Sequence, residues 1–180
     1  MGRDAGWLTL HAGIASGADV ILIPEIPYDL NSVAETIERR KKQGRSYSIL
    51  AVAEGAVAKG DHLLSEEERR ALKERSEYPT ISYRIAKELQ ALTGQQTRVT
   101  IPGHYQRGGP PCPYDRVLAT RFGTGAAKLI MQKKYGYMVA MQNEEIVPVP
   151  LEEAASKTKF LPVEHPLIQA ARDVGTGFGD

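Results

Sequence analysis

The chain has 180 residues, of which 42% are hydrophobic, and a formal net charge of +1 from 23 basic and 22 acidic residues. This length accommodates one good-sized domain, or about one and a half, with a real apolar core. The balanced charge argues against a general nucleic-acid-binding protein, which needs a basic excess to follow many phosphates. The single cysteine, Cys112, excludes an intramolecular disulfide and is typical of a reducing compartment.

The sequence carries no recognisable targeting or membrane segment. The opening residues MGRDAGW lack the apolar core of a signal peptide, and apolar runs such as residues 20–23 are far too short to cross a bilayer. We therefore expect a cytoplasmic protein whose partners include no nucleic acid and no membrane.

Helix and strand patterns alternate along the first part of the chain. Their order is helix 4–16, strand 18–25, helix 32–44 and strand 46–55. Gly17 closes the first helix, because glycine readily takes the left-handed conformation that ends a helix. Ser32 and Glu35 form the capping-box pattern that begins the second helix. Both strand patterns are continuously apolar, which is typical of strands buried on both faces of a parallel sheet.

The remaining patterns continue the alternation as far as a terminal hairpin and helix. They are helices 65–77 and 80–94, strand 98–105, helix 114–136, a hairpin around Asn143 and Glu144, and a helix from Pro166. Ser65 and Glu68 repeat the capping box, while Gly94 and Gly136 are the expected helix stops. This alternation predicts an α/β fold, a three-layer sandwich with a mainly parallel sheet.

Candidate binding residues gather where the predicted strands end. In open α/β sheets, ligands bind beyond the carboxyl ends of the strands, and Glu25, Glu54 and His104 lie at those ends. Arg98, His104 and Arg107 surround a glycine-rich corner. Arginine forks bind phosphate oxygens, and carboxylates accept hydrogen bonds from sugar hydroxyls. The combination therefore suits a phosphate that carries hydroxyl groups.

Each of these residues also has a structural interpretation. Arg98 could be a solvated charge beside a strand, and His104 a hydrogen-bonded structural histidine. Glu25 and Glu54 could cap or pair locally, and Cys112 could be an inert loop thiol. Taken one at a time, the structural interpretation is favoured throughout, and it is their coincidence at the strand ends that favours a binding site.

Residues 103–121, GHYQRGGPPCPYDRVLATR, resemble the signature of 6-phosphofructokinases, in which a G-H-x-Q-R-G-G core leads through a proline-containing loop into an aspartate-arginine helix. The segments MGRDAGW, ADVILIPE and ILAVAEG resemble three further motifs of that family, in the same order. The resemblance covers residues 1–150 and implies a phosphofructokinase-like fold.

The resemblance implies a set of residues that bind fructose 6-phosphate: Met1, Gly2, Arg3, Glu54, Arg98, His104 and Arg107. In that set, Glu54 binds sugar hydroxyls and the later basic residues hold the sugar phosphate. Arg98 reaches in from a neighbouring subunit, because family members are dimers or tetramers that share sugar sites. Glu25 and Arg45 correspond to an effector site of allosteric bacterial members.

Two motifs of the family are absent from this sequence: the G-G-D-G-S phosphate-donor loop and the T-I-D-N-D segment that carries the general base. We therefore expect the carboxyl-terminal half of such an enzyme, lacking the amino-terminal donor-binding half. Residues 1–109 would be the sugar-phosphate-binding part, and residues 110–180 would return to the donor-binding domain and form a tail. No catalytic residue and no metal ligand is expected in this chain. Mg²⁺ with ATP or pyrophosphate belongs to the full-length enzyme, and this chain alone would bind none of them.

The implied function is phosphoryl transfer to the 1-hydroxyl of fructose 6-phosphate in glycolysis, a kinase reaction for which this chain alone would be incomplete and inactive. Its implied partners are the amino-terminal half and further copies in a homo-oligomer. One alternative is a non-catalytic sugar-phosphate-binding or regulatory subunit, and another is a structural assembly piece. Both the donor, ATP or pyrophosphate, and the effector remain open. We also expect helix 114–136 to expose apolar residues, namely Leu118, Phe122, Leu129 and Ile130.

Overall fold

The computed structural model describes residues 2–65, 67–68, 71, 75–155 and 158–180. The chain forms two compact units, the first comprising Met1–Gly103 with Lys159–Asp180 and the second His104–Thr158. The division expected between residues 109 and 110 concerns the domains of a complete enzyme and stays a prediction. No helix in the described ranges is both long enough and apolar enough to span a membrane.

The helices and strands follow one another in an α/β order. They are α1 (Trp7–Ala15), β1 (Val20–Leu22), α2 (Leu30–Lys42), β2 (Leu50–Val52), α3 (Ile81–Thr93), a 3₁₀ helix (Gly103–Arg107), α4 (Pro113–Met131), β3 (Tyr137–Gln142), β4 (Glu145–Pro150), α5 (Leu151–Ala155) and α6 (Pro166–Asp173).

The sheet of the first unit is parallel and has β1 in its middle. On one edge β1 pairs with β2, with Val20 opposite Leu50 and Leu22 opposite Val52. On the other edge, a segment near the end of the chain lies parallel to β1 and bonds to it, since the Ile21 N–H donates to the Gly177 carbonyl at 2.9 Å. The sequence patterns did not predict this third segment of the sheet.

Helices cover both faces of that sheet. One face carries the buried cluster Leu10, Ala18, Ile21, Ile23, Ile26, Ala51, Leu161, Ile168, Ala171 and Phe178, and the opposite face carries Val20, Leu22, Tyr28, Val33, Ile37, Ala53, Ala56, Ile85 and Leu89. Successive β1 residues alternate between these clusters because successive side chains of a strand point to opposite faces. The predicted three-layer α/β arrangement with a parallel sheet is confirmed.

Several local predictions are also confirmed. Gly94 ends α3 with a φ of 65°. The hairpin turns at Asn143 and Glu144, both of which have positive φ, as a tight two-residue turn requires. The Ser65 N–H donates to the Glu68 carboxylate at 2.8 Å, and the Glu68 N–H donates to Ser65 Oγ at 3.2 Å. Part of the helix predicted over 65–77 lies outside the described residues.

Two predicted helix ends are wrong, each because a neighbouring residue takes the cap. Asp29, not Ser32, begins α2, since the Asp29 carboxylate accepts the Asn31 N–H at 2.8 Å. The Ser32 hydroxyl instead donates to the Asp180 carbonyl at 3.0 Å. Helix α4 ends at Met131 rather than Gly136, because Lys133 already takes a left-handed φ of 57°.

The strand predicted over 98–105 is wrong. The Thr97 hydroxyl donates to the Ala86 carbonyl at 3.1 Å, and the Thr97 N–H donates to the Gln90 side chain at 3.3 Å. The chain is therefore bonded to α3 just before this segment, and residues 98–102 belong to no strand of the described sheet. Gly103, with a φ of 52°, then turns the chain into the 3₁₀ helix.

The second unit packs α4 against the β3–β4 hairpin without burying any side chain of these elements completely. The predicted exposure is right for Ile130, which is 63% exposed, but Leu118, Phe122 and Leu129 are half-buried. Those three share the helix face of Gly125, which contacts the hairpin. Val117 and Met131 are exposed in their place.

We predict that replacing Gly125 loosens the second unit. A β-carbon there would lie 2.7 Å from Cγ2 of Ile146, whereas one at Gly123 would meet nothing within 4 Å. Gly125→Ala should lower the free energy of unfolding by about 1–3 kcal/mol through overpacking. The control Gly123→Ala should raise it by up to about 1 kcal/mol through helix propensity. Urea denaturation followed by circular dichroism measures the free energy of unfolding of both variants. Equal effects would contradict the close contact of Gly125 with the hairpin.

We also predict an acid-sensitive contact in the tail. The Arg172 guanidinium binds the Asp180 carboxylate and lowers its pKa. The contact therefore stabilises the fold fully above the ordinary aspartate pKa of about 3.9 and is lost as the pH falls through the lower pKa of the folded state. Asp180→Asn should reduce the melting temperature slightly at pH 7 and progressively less below pH 4. Asp4→Asn is the control. If the melting temperature of Asp180→Asn stays below that of the unsubstituted chain by the same amount down to pH 2, the ion pair is not the source of the pH dependence.

Candidate functional site

Backbone hydrogen bonds bring the opening residues of the chain to the end of β2. The Glu54 N–H donates to the Gly2 carbonyl at 3.2 Å, and the Gly55 N–H donates to the Arg3 carbonyl at 3.1 Å. The Arg3 and Glu54 side chains are exposed. The structure therefore joins Gly2, Arg3 and Glu54 at one strand end, while Met1 lies outside the described residues.

This approach of the two segments requires glycine. A β-carbon on Gly55 would lie 2.5 Å from the Arg3 carbonyl oxygen, which is far inside van der Waals contact. Gly2 has a φ of 69°, and a β-carbon there would lie 2.9 Å from Thr9 Oγ1. A larger residue at position 55 would push the strand end and the opening segment apart, and one at position 2 would press on Thr9 of α1. The glycines of the M-G-R and A-E-G motifs thus have a steric explanation in this fold.

The 3₁₀ helix Gly103–Arg107 carries His104 and Arg107, both exposed. A 3₁₀ helix has three residues per turn, so side chains three apart lie on the same side. His104 and Arg107 therefore project from one face of a single turn, an arrangement that can present two donors to one phosphate group. Their convergence with residues of the first unit stays a prediction.

Arg98 lies in the irregular segment between α3 and the 3₁₀ helix, with its side chain exposed. Its predicted place is the sugar site of a neighbouring subunit, so its role also stays a prediction. The nearest carboxylate beyond the glycine-rich corner, Asp115, accepts the Cys112 N–H at 3.1 Å and so helps to cap α4. Cys112 itself is exposed.

The two predicted effector residues have different surroundings. Glu25 Oε1 accepts two backbone hydrogen bonds, from the Gly6 N–H and from the Leu161 N–H, each at 2.9 Å. Arg45 lies in the turn after α2, where its N–H donates to the Arg40 carbonyl at 3.1 Å and its side chain is exposed. An effector role for this pair stays a prediction.

A partly buried polar cluster holds the segment that follows Glu54, and no sequence signal indicated it. The Arg84 guanidinium donates to the Tyr28 hydroxyl at 3.2 Å and to the Asp61 carboxylate at 3.4 Å. Burial raises the pKa of the Tyr28 hydroxyl. The Tyr28 backbone also pairs with this segment, since its N–H donates to the Val57 carbonyl at 2.9 Å. The cluster therefore fixes the path of the chain as it leaves the strand end.

No group of three or more histidine, cysteine, aspartate or glutamate side chains in the described part of the chain is placed to hold a metal ion. Arg3 offers guanidinium donors and Glu54 offers carboxylate acceptors, which can hydrogen-bond phosphate and hydroxyl groups respectively.

Comparison with known proteins identifies relatives over the whole chain. A family model described as Phosphofructokinase matches residues 1–130. An ATP-dependent 6-phosphofructokinase of Spirochaeta thermophila is 52% identical over 180 residues, which are 100% of this chain and 49% of that protein. One of Propionibacterium freudenreichii subsp. shermanii is 48% identical, over 100% of this chain and 53% of that protein. The chain thus spans about half the length of the curated relatives it matches.

Solved structures show the same fold. The crystal structure of Pichia pastoris phosphofructokinase in the T-state superposes with a TM-score of 0.65 and 31% identity, covering 98% of this chain and 17% of that chain. A pyrophosphate-dependent phosphofructokinase from Marinobacter aquaeolei superposes with a TM-score of 0.72 at 20% identity, covering 99% of this chain and 43% of that one. The family model also matches more than half of the residues of this chain, and the chain therefore belongs to the phosphofructokinase family.

Proposed function

We propose that this chain is the fructose 6-phosphate-binding, carboxyl-terminal half of a 6-phosphofructokinase. The complete enzyme would transfer a phosphoryl group to the 1-hydroxyl of the sugar, as a phosphotransferase of cytoplasmic glycolysis. The observation that carries the proposal is the hydrogen-bonded approach of Gly2 and Arg3 to Glu54 and Gly55. It sets an exposed cation and an exposed carboxylate on adjoining backbone segments at a strand end, which is the ligand-binding edge of open α/β sheets.

The available side chains match the two ends of a sugar phosphate. Glu54 would accept hydrogen bonds from sugar hydroxyls, while Arg3 would bind near the reacting end. His104 and Arg107 would donate to the sugar phosphate, with Arg98 supplied by a neighbouring subunit of a homo-oligomer. Charge-assisted hydrogen bonds contribute about 1.5–3 kcal/mol each. A few of them are enough for micromolar affinity after the costs of association.

We propose ATP, with Mg²⁺, as the donor of the complete enzyme. The relatives at 52% and 48% identity are named ATP-dependent, whereas the pyrophosphate-dependent structure is only 20% identical. The donor, its metal ion and the general base would be held by the amino-terminal half, because the motifs that carry them in the family are absent from this sequence. This chain would contribute the orientation of the acceptor hydroxyl, a large part of phosphoryl-transfer catalysis.

We predict that the isolated chain binds fructose 6-phosphate through Arg3 and Glu54. Isothermal titration calorimetry should give a Kd in the micromolar to low millimolar range. Arg3→Ala and Glu54→Gln should each weaken binding by about tenfold or more, the value of one charge-assisted hydrogen bond. Arg39→Ala and Glu35→Gln replace exposed residues of α2 and are the matched controls. If the control substitutions weaken binding equally, the sugar phosphate does not bind at this strand end.

We also predict that the chain alone produces no fructose 1,6-bisphosphate in a coupled assay with ATP or pyrophosphate. Loss of the general base alone costs about 10²–10⁴-fold, and loss of donor positioning costs more. Mixing with the amino-terminal half of the Spirochaeta thermophila relative should restore turnover with ATP. Binding of the sugar phosphate without restored turnover would favour the alternative, a non-catalytic sugar-phosphate-binding or regulatory subunit. Turnover by the chain alone would contradict the proposal.

A further inference from the structure

We infer that Glu25 is a positioning residue for the sugar-phosphate site, acting through the backbone of α1. This inference rests on the proposed function, because it concerns the segment that carries Gly2 and Arg3. Glu25 lies just beyond β1, and its carboxylate serves backbone groups of two distant segments, the beginning of α1 and the tail.

The carboxylate holds the N-cap residue of α1. Gly6 is the N-cap residue of this helix and has no side chain with which to cap it. The Gly6 N–H, an orphan donor at a helix start, donates to Glu25 Oε1 at 2.9 Å. The packing is also tight, because a β-carbon on Gly6 would lie 2.7 Å from Glu25 Oε2 and 2.7 Å from Cβ of Ile23. The start of α1 therefore rests directly on the Glu25 side chain.

This anchor stands three residues from Arg3. The carbonyl of Arg3 is held by Gly55 at 3.1 Å, and the amide of Gly6 is held by Glu25 at 2.9 Å. The short segment 2–6 is thus fixed at both ends, at the end of β2 and at the end of β1. Releasing the Gly6 end would leave this segment held only by the hydrogen bonds from Glu54 and Gly55, which would let the Arg3 guanidinium move out of place.

The same oxygen links the site to the tail. Glu25 Oε1 also accepts the Leu161 N–H at 2.9 Å, and Leu161 is buried in the core. At the first residue of α1, next to Gly6, the indole N–H of Trp7 donates to the Lys159 carbonyl at 2.8 Å. Residues 159–161 and the start of α1 are therefore held together, so the docking of the tail supports the position of Arg3.

The role requires an acceptor oxygen and not a charge that faces a ligand. Glutamine at position 25 would keep a carbonyl oxygen for the Gly6 and Leu161 amides, whereas alanine would leave both donors without it. If Glu25 instead acted through its charge on a bound ligand, both variants would lose that contribution to binding equally, because both remove the charge. The pair Glu25→Gln and Glu25→Ala consequently separates positioning from direct binding.

The experiment compares these two variants in the 180-residue chain with fructose 6-phosphate as the probe. Calorimetry should show binding weakened by about tenfold or more in Glu25→Ala and restored to within about threefold in Glu25→Gln. Hydrogen exchange by NMR should show faster exchange of the Glu54 and Gly55 amides in Glu25→Ala, with the β3–β4 hairpin amides as the internal reference. Ser32→Ala, which removes a different tail contact, is the matched control and should leave both readouts unchanged.

Each outcome decides the inference. Equal loss of binding in both Glu25 variants would assign Glu25 to direct ligand contact and overturn it. Normal binding by Glu25→Ala would overturn it as well. If the unsubstituted chain fails to bind the sugar phosphate, the proposed function fails separately. The exchange measurement then stands alone: faster exchange at Glu54 and Gly55 in Glu25→Ala supports positioning, and unchanged exchange overturns it.

Discussion

The burial of β1 is the constraint on which the first unit depends. Val20, Ile21, Leu22 and Ile23 have no exposed surface, and alternate side chains pack into different clusters on the two faces of the sheet. A strand buried on both faces must also satisfy its backbone groups on both edges. β2 does so on one edge, and the residues around Gly177 do so on the other. The tail is therefore part of the sheet, and it joins residues far apart in sequence into one unit.

The site follows from where this sheet ends. The carboxyl ends of parallel strands lie at one edge, so Glu25 and Glu54 leave β1 and β2 in the same direction. The structure uses the two carboxylates differently. Glu25 accepts backbone hydrogen bonds from Gly6 and Leu161, whereas the Glu54 side chain stays exposed beside the Gly2–Arg3 segment. Of two similar motifs at neighbouring strand ends, one thus supports the backbone internally and the other places its carboxylate at the surface.

Local signals in the sequence predicted much of this arrangement, and nonlocal hydrogen bonds account for the rest. The helix stop at Gly94 and the Asn143–Glu144 hairpin are decided by neighbouring residues, so pattern analysis identified them. Segment 98–105 has a strand-like composition, but a strand also needs a partner, and Thr97 bonds to α3 instead. The bond between Glu25 and Leu161 spans 136 residues, and no local pattern indicates it.

The residues proposed to bind the sugar phosphate differ in how firmly their backbone is held before the ligand binds. Arg3 and Glu54 project from backbone that is held by interstrand-type hydrogen bonds next to a buried core. His104 and Arg107 project from a single 3₁₀ turn that buries none of its residues. Where a segment orders its backbone on binding, the cost is about 1–2 kcal/mol per residue, which offsets part of the contacts that its side chains make. The net affinity of the isolated chain should consequently come mainly from the rigid strand end. The 3₁₀ turn should contribute its full share only where further protein packs against it.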